Sequence, residues 1–277
     1  MRRSALLVAV VAMTWSTSGF AATQRPLIVT AQDHSLVDSD DCATFYTQNT
    51  TSLPSQVTSE EQRRISLLGV ELLHVRTANA GGVSVRGWEK PFARLTICKY
   101  AAALNESQAQ RALQSVGVAV RPGEIAVHGP DLNETQAWWV HMILRVPKSA
   151  NVDVAAANGG IAIRNMAGRI TARATNGGIS LASCTGVNRI ETENGGISLD
   201  HIDRVDATTQ NGPIALKLRD TLVPPLEART DDEIVCKLKI CTENWAAADR
   251  KRLRIGGSSP QIRLISSSAP ILIEQVR

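Results

Sequence analysis

The chain has 277 residues, of which 43% are hydrophobic, 20% charged and 4% aromatic, with a formal net charge of +4. That hydrophobic share is enough to bury a core, which excludes a disordered chain, and a charge so small and so scattered along the sequence excludes a nucleic-acid binder of the ordinary basic kind. So few aromatics suit a narrow interior filled with Ile, Leu, Val and Ala.

In chain order, the first residues read as an address. Arg2 and Arg3 precede an apolar run from Ala5 to Met13, and Phe20-Ala21-Ala22 supplies small residues at a cleavage point. This predicts a secretory signal peptide over 1–21, too short in its apolar part to span a membrane. A polar tail over 22–59 follows. Its Asp33, Asp38, Asp40 and Asp41 lack the spacing of a calcium loop and read as a solvated acidic stretch. Asn49, Asn105 and Asn133 open N-x-Ser/Thr triplets, which matter only in a host that glycosylates them.

From 60 to 277 the pattern is that of strands. Segments 69–77 and 93–101 alternate, and between them Asn79, Gly81 and Gly82 form a corner followed by Val83 and Val85. An insertion over about 104–130 carries the one helical signal. Asn105 is placed as N-cap, Gln108 stands at the capping-box position, and Ala109, Ala112, Leu113 and Val116 recur at helical spacing. Ile125 and Val127 then mark a strand, and 138–147 another.

The stretch 152–218 repeats one phrase four times: NGGIAI, NGGISL, NGGISL and NGPIAL, with Asn158, Asn176, Asn194 and Asn211 spaced 18, 18 and 17 apart. Four before each Asn stand Val154, Ala172, Ile190 and Ala207. Three after it stand Ile161, Ile179, Ile197 and Ile214, and polar residues alternate with these columns. A period of two inside a fixed longer period, with like residues in each column, predicts strands stacked like on like. The expected fold is therefore all-β: a single-stranded parallel β-solenoid with turns of about 18 residues and one short inserted α-helix, the alternative being an antiparallel sandwich. Asn158, Gly159, Gly160, Asn176, Gly177, Gly178, Asn194, Gly195, Gly196, Asn211 and Gly212 are the expected structural corners, with glycine needed for positive φ and for want of a Cβ. After 218 the register loosens at Pro224-Pro225, and 227–238 and 261–276 repeat the strand–corner–strand phrase imperfectly. End turns that protect an open edge would read this way.

The leader, VRTANAGGVSVRGW, the helical insertion before AWWVHMILRVPKSANVDV, the phrase Val146, Pro147, Ala150, Val152, Val154 and the NGGI/NGPI repeats together resemble the bacterial putative-adhesin family, envelope proteins of undefined function. The likeness covers roughly 60–276. It implies a β-solenoid and supplies no catalytic residues. The five cysteines and the Pro-Pro loop depart from the family's plain pattern.

Chemistry is sparse. Cys42, Cys98, Cys184, Cys236 and Cys241 leave one thiol over in an oxidising compartment; Cys42 with Cys98 and Cys236 with Cys241 are the candidate bridges, and Cys184, in the column of Met166 and Ile202, is a buried thiol. The histidines 34, 74, 128, 141 and 201 are dispersed, so neither metal nor cofactor is expected. An acid–base pair on an outer face would draw on Glu191, Asp200, Asp203, Asp206 and Asp231-Asp232, but Arg173 and Arg189 beside Glu191 read as ordinary cross-strand pairing. A binding surface rests on shape: Ala162, Ser180, Ser198 and Ala215 form a column of small outward residues, with Ala157, Thr175, Glu193 and Gln210 in the column before each Asn, and the alternative is that the protein's own helix or tail covers this strip. The reading is an exported, non-catalytic envelope protein, periplasmic or at the cell surface, that presents such a surface for adhesion or scaffolding to an envelope polymer or protein, with no nucleic acid and no membrane span. The alternatives are a carbohydrate-active enzyme on a β-helix and an accessory factor in envelope stress sensing that binds a protein partner.

Overall fold

The computed structural model describes residues 42–48, 51–77, 81–131, 135–219, 223–244 and 250–276. The expected leader, Asp33 to Asp41, Asn49, Asn79 and Asn133 lie outside them. Helix α1 (Ala43–Gln48) precedes strands β1 (Ser55–Ile65), β2 (Leu73–Arg76), β3 (Val83–Trp88) and β4 (Ala93–Ala103). Helix α2 (Glu106–Ser115) leads to β5 (Gly117–Arg121), β6 (Glu124–His128) and β7 (Gln136–Pro147). The repeats supply β8 (Val152–Asn158), β9 (Ile161–Arg164), β10 (Ile170–Asn176), β11 (Ile179–Ala182), β12 (Asn188–Asn194), β13 (Ile197–Asp200), β14 (Val205–Asn211) and β15 (Ile214–Arg219). Then come β16 (Leu226–Thr230), β17 (Ile234–Cys236), α3 (Lys239–Asn244), β18 (Arg252–Ile255), β19 (Ile262–Ser266) and β20 (Ile271–Val276).

The described residues are mostly β, in two ten-stranded sheets. Each repeat gives one strand to each sheet, and successive repeats pair in parallel and in register: Ala172 with Val154 and Ile190, Ile179 with Ile161 and Ile197. The inward columns meet between the sheets, where Ile190, Leu199, Ile202 and Ile214 are buried, each contributing roughly 1.5–3 kcal/mol.

Two features depart from a wholly parallel stack read in chain order. The sheets are mixed: β4 lies antiparallel on β7 and β1 antiparallel on β4, β5 lies antiparallel on β6, and β18 antiparallel on β16. Of these pairs only β5 and β6 are joined by a tight hairpin, while β1, β5 and β18 each lie at the edge of their sheet. The order of units also changes at both ends. The unit β2–β3 is sandwiched between β6–β7 and β8–β9, and the last unit, β19–β20, between β14–β15 and β16–β17.

The inserted helix forms as expected and has company: α1 and α3 are further short helices. Asn105 Oδ1 accepts from the Gln108 amide at 3.0 Å, while Gln108 Oε1 has no hydrogen-bond partner, so only half of the capping box is made. Ala112, Leu113 and Val116 join the core shared by Leu95, Ile97 and Ala101. On the opposite face of β4, the Cys42–Cys98 bridge holds α1, and Phe45 packs into a second cluster with Tyr100, Ala102 and Ile143.

Candidate functional site

The corners set the surface. None of the repeat glycines has positive φ; that expectation is overturned. What Gly177 and Gly195 require is space. A Cβ at Gly177 would sit 2.2 Å from the Gly159 carbonyl oxygen, and one at Gly195 2.2 Å from that of Gly177. The second glycine is freer, its nearest neighbour at Gly196 being 3.4 Å away, which is why Pro213 can stand there in the fourth repeat. The asparagines serve a ladder rather than a left-handed turn. Asn176 Nδ2 donates to Asn158 Oδ1 at 2.8 Å, Asn194 to Asn176 at 2.9 Å and Asn211 to Asn194 at 2.9 Å. Positive φ falls instead at the second corner, on Asn165 (58°), Ser183 (53°) and His201 (54°).

The small column of the first sheet is in register from Ser84 through Ala162, Ser180 and Ser198 to Ala215. It is not an open strip: Ser180 and Ala215 are buried, and Ala162 and Ser198 half-buried. Beside it, His141 is buried between Ser84, whose Oγ lies 2.9 Å from Nε2, and the Phe45 ring stacked at 5.4 Å. Burial pushes that imidazole down to about 4.

The second sheet's outer face is different. A groove of about 480 Å³ runs across β8, β10, β12 and β14, lined by Ala155, Ala157, Arg173, Thr175, Glu191, Glu193, Thr208 and Gln210, with Thr77 at one end. It unites the column before each Asn with the next outward column. An ion-pair ladder crosses it: Arg76 and Arg173 meet Asp153 at 2.6 and 3.1 Å, Arg173 meets Glu191 at 3.4 Å, and Arg189 meets Glu191 at 2.8 Å. Burial works to raise the Asp153 carboxyl, but Arg76, His74 and Arg173 around it outweigh that and hold it below the usual carboxylate range. Thr77 Oγ1, at the groove's end, is buried without a hydrogen-bond partner.

The candidate acids do not gather. Glu191 is held between two arginines on the second sheet, Asp206 faces Arg263 at 3.9 Å, and Asp200, on the first sheet, contacts His201 Nδ1 at 2.8 Å. Asp203, Asp231 and Asp232 are exposed in turns. Among the described residues no three His, Cys, Asp or Glu side chains are grouped to hold a metal, and no helix is long and apolar enough to cross a membrane. Both bridges are formed: Cys42–Cys98, and Cys236–Cys241, where the chain turns from β17 into α3 instead of running straight. Cys184 is a free, buried thiol that burial raises to about 11.

No protein-family model and no curated protein sequence matches the chain. Solved structures are similar at low identity. A putative cell adhesion protein from Clostridium sporogenes is 12% identical over 79% of this chain and 100% of its own, with a TM-score of 0.46. A putative adhesin from Bacteroides fragilis is 12% identical over 80% and 99%, TM-score 0.40. One from Parabacteroides merdae is 8% identical over 78% and 96%, TM-score 0.32. Likeness at this level decides neither fold nor function for this chain.

Proposed function

We propose that the chain is an exported, non-catalytic envelope protein, that its stacked units form a β-solenoid, and that it works by holding an extended polysaccharide on the outer face of the second sheet. The observation that carries the reading is the groove across β8, β10, β12 and β14. Its floor is kept low at the first repeat by Ala155 and Ala157, and the next three repeats offer in turn Arg173 with Thr175, Glu191 with Glu193, and Thr208 with Gln210, so that hydroxyl, amide, carboxylate and guanidinium groups line one groove, a set that suits a ligand rich in hydroxyls. Two disulfides support an oxidising compartment, hence export. The in-register columns support the solenoid, since one turn of chain separates each pair of equivalent residues.

The test is retention of the purified protein on a panel of envelope polysaccharides, with new reducing ends scored in the same assay. Retention without cleavage, weakened at least tenfold by Ala157→Trp or Thr175→Trp, is the expected result. New reducing ends would overturn it in favour of an enzyme, and an undiminished affinity in both tryptophan variants would remove the groove from the account.

A further inference from the structure

Arginines cross the first sheet in a single line. Register pairs Arg64 of β1 with Arg94 of β4, Arg94 with Arg145 of β7, Arg145 with Arg86 of β3, and Arg86 with Arg164 of β9. All five share the outward face, because the neighbours on either side, such as Leu95, Val85, Leu144, Val146 and Ile163, are buried in the core. Strands lie about 4.8 Å apart, so the line carries five positive charges over roughly 19 Å. Like charges directly opposite on a sheet are destabilising, and sheets ordinarily avoid them. This sheet does so elsewhere: beyond Arg164 the same line runs Ala182, Asp200, Lys217, Glu274, with the signs alternating.

The Arg64 end opens into a cavity of about 330 Å³ lined by Gln62, Arg63, Arg64, Phe92 and Arg94. There Arg64 stacks on the Phe92 ring at 3.8 Å, and Arg94 and Lys90 lie over Trp88 at 5.5 and 5.1 Å. The aromatic faces orient the cations and add apolar surface beside them. Arg86, Arg94, Arg145 and Arg164 are each already in contact with a partner group, so a ligand exchanges contacts on this line and does not fill a void.

We propose that the arginine line is a second binding site, for an acidic polysaccharide whose carboxylates, one per sugar ring, repeat on the scale of the strand spacing. A guanidinium fork matches a carboxylate in two parallel hydrogen bonds, and five forks in line match a polymer better than any single anion. The site lies on the opposite sheet from the groove and does not depend on it.

The experiment measures binding of the purified protein at about 50 mM salt, where surface charge is weakly screened, to polygalacturonate, neutral dextran, long-chain polyphosphate and duplex DNA. The variants are Arg86→Gln with Arg145→Gln, and Arg250→Gln with Arg254→Gln as a pair removing equal charge elsewhere. Expected is polygalacturonate affinity lower on the order of tenfold in the first pair, about threefold per contact, unchanged in the second, and dextran indifferent to both. Should the glutamine pair fail to fold, Arg86→Lys with Arg145→Lys keeps the charge and loses the fork; affinity lower by about threefold is then expected, and no change overturns the site. Equal losses in both glutamine pairs, no binding of polygalacturonate by the unaltered protein, or a lower melting temperature with affinity intact would overturn it. Polyphosphate or DNA held as tightly through the same arginines would overturn the glycan assignment.

Discussion

At the corners, one atom decides. Gly195 stands so close to the Gly177 carbonyl that a Cβ cannot enter without parting the two backbones, whereas Gly196 has ordinary contact distances around it. Neither has positive φ. Gly195→Ala is therefore expected to lower stability by about 1–3 kcal/mol through overpacking, and Gly196→Ala to be neutral or slightly stabilising by restricting the unfolded chain. Urea denaturation of the two variants checks this; equal losses would mean that corner strain, not stacking distance, sets the requirement. The two glycines are indistinguishable in NGG as a string. The distinction was nonetheless present in NGPIAL, where proline occupies the second position and not the first.

At the scale of an element, α1 is held to the first sheet by the Cys42–Cys98 bridge and by Phe45 over His141. His141 sits opposite Cys98 in the β4–β7 register, its Nε2 shared with Ser84, with no carboxylate among the described residues bonded to it. Its imidazole titrates near 6.5 when unfolded and at about 4 when folded. Between these values the unfolded chain takes up a proton that the folded chain refuses. Stability is thus complete above pH 6.5 and falls as the pH drops towards 4, by about 3 kcal/mol for this group. His141→Gln keeps a partner for Ser84 and cannot titrate, so its urea midpoint is expected to change less between pH 7 and pH 4.5 than that of the parent. Parallel profiles would remove His141 from the acid response. Sequence reading placed His141 on a strand but gave it no role, since its partners Ser84 and Phe45 are 57 and 96 residues away.

For the whole molecule, the telling feature is the order of its units. Because β19–β20 lies between β14–β15 and β16–β17, removing residues 261–277 strips the support from both neighbours. The truncated chain is expected to expose the parallel edges of β14 and β15 and to aggregate. A stack built in chain order would shed only a terminal unit and stay soluble. Size-exclusion chromatography of the truncated protein separates the two. Thr192, Thr209, Ser266 and Thr230 record the true order: their hydroxyls donate to the corner carbonyls of Gly177, Gly195, Gly212 and Ala269, each on the preceding unit in space. Thr192 and Thr209 stand two residues before Asn194 and Asn211, but a shared position in the repeat says only that units stack, not which stacks on which.

Local chemistry by itself determined the all-β character, the inserted helix with its Asn105 cap, the two sulfur bridges as candidates and the columns that became the core. Each follows from spacing along the chain, which the backbone periods of strand and helix convert directly into a face. The groove on the second sheet was half legible, as the column of Ala157, Thr175, Glu193 and Gln210; its other half needed the ion pairs that only packing brings together. Three things belonged to tertiary structure alone: the swapped units at both ends, the antiparallel strands that close them, and the line of five arginines. Those arginines are up to 100 residues apart in sequence and become neighbours only when five strands fall into register. Charge that is scattered along a chain is thereby concentrated in space, because register between distant strands is set by the buried columns and not by the residues that face outward.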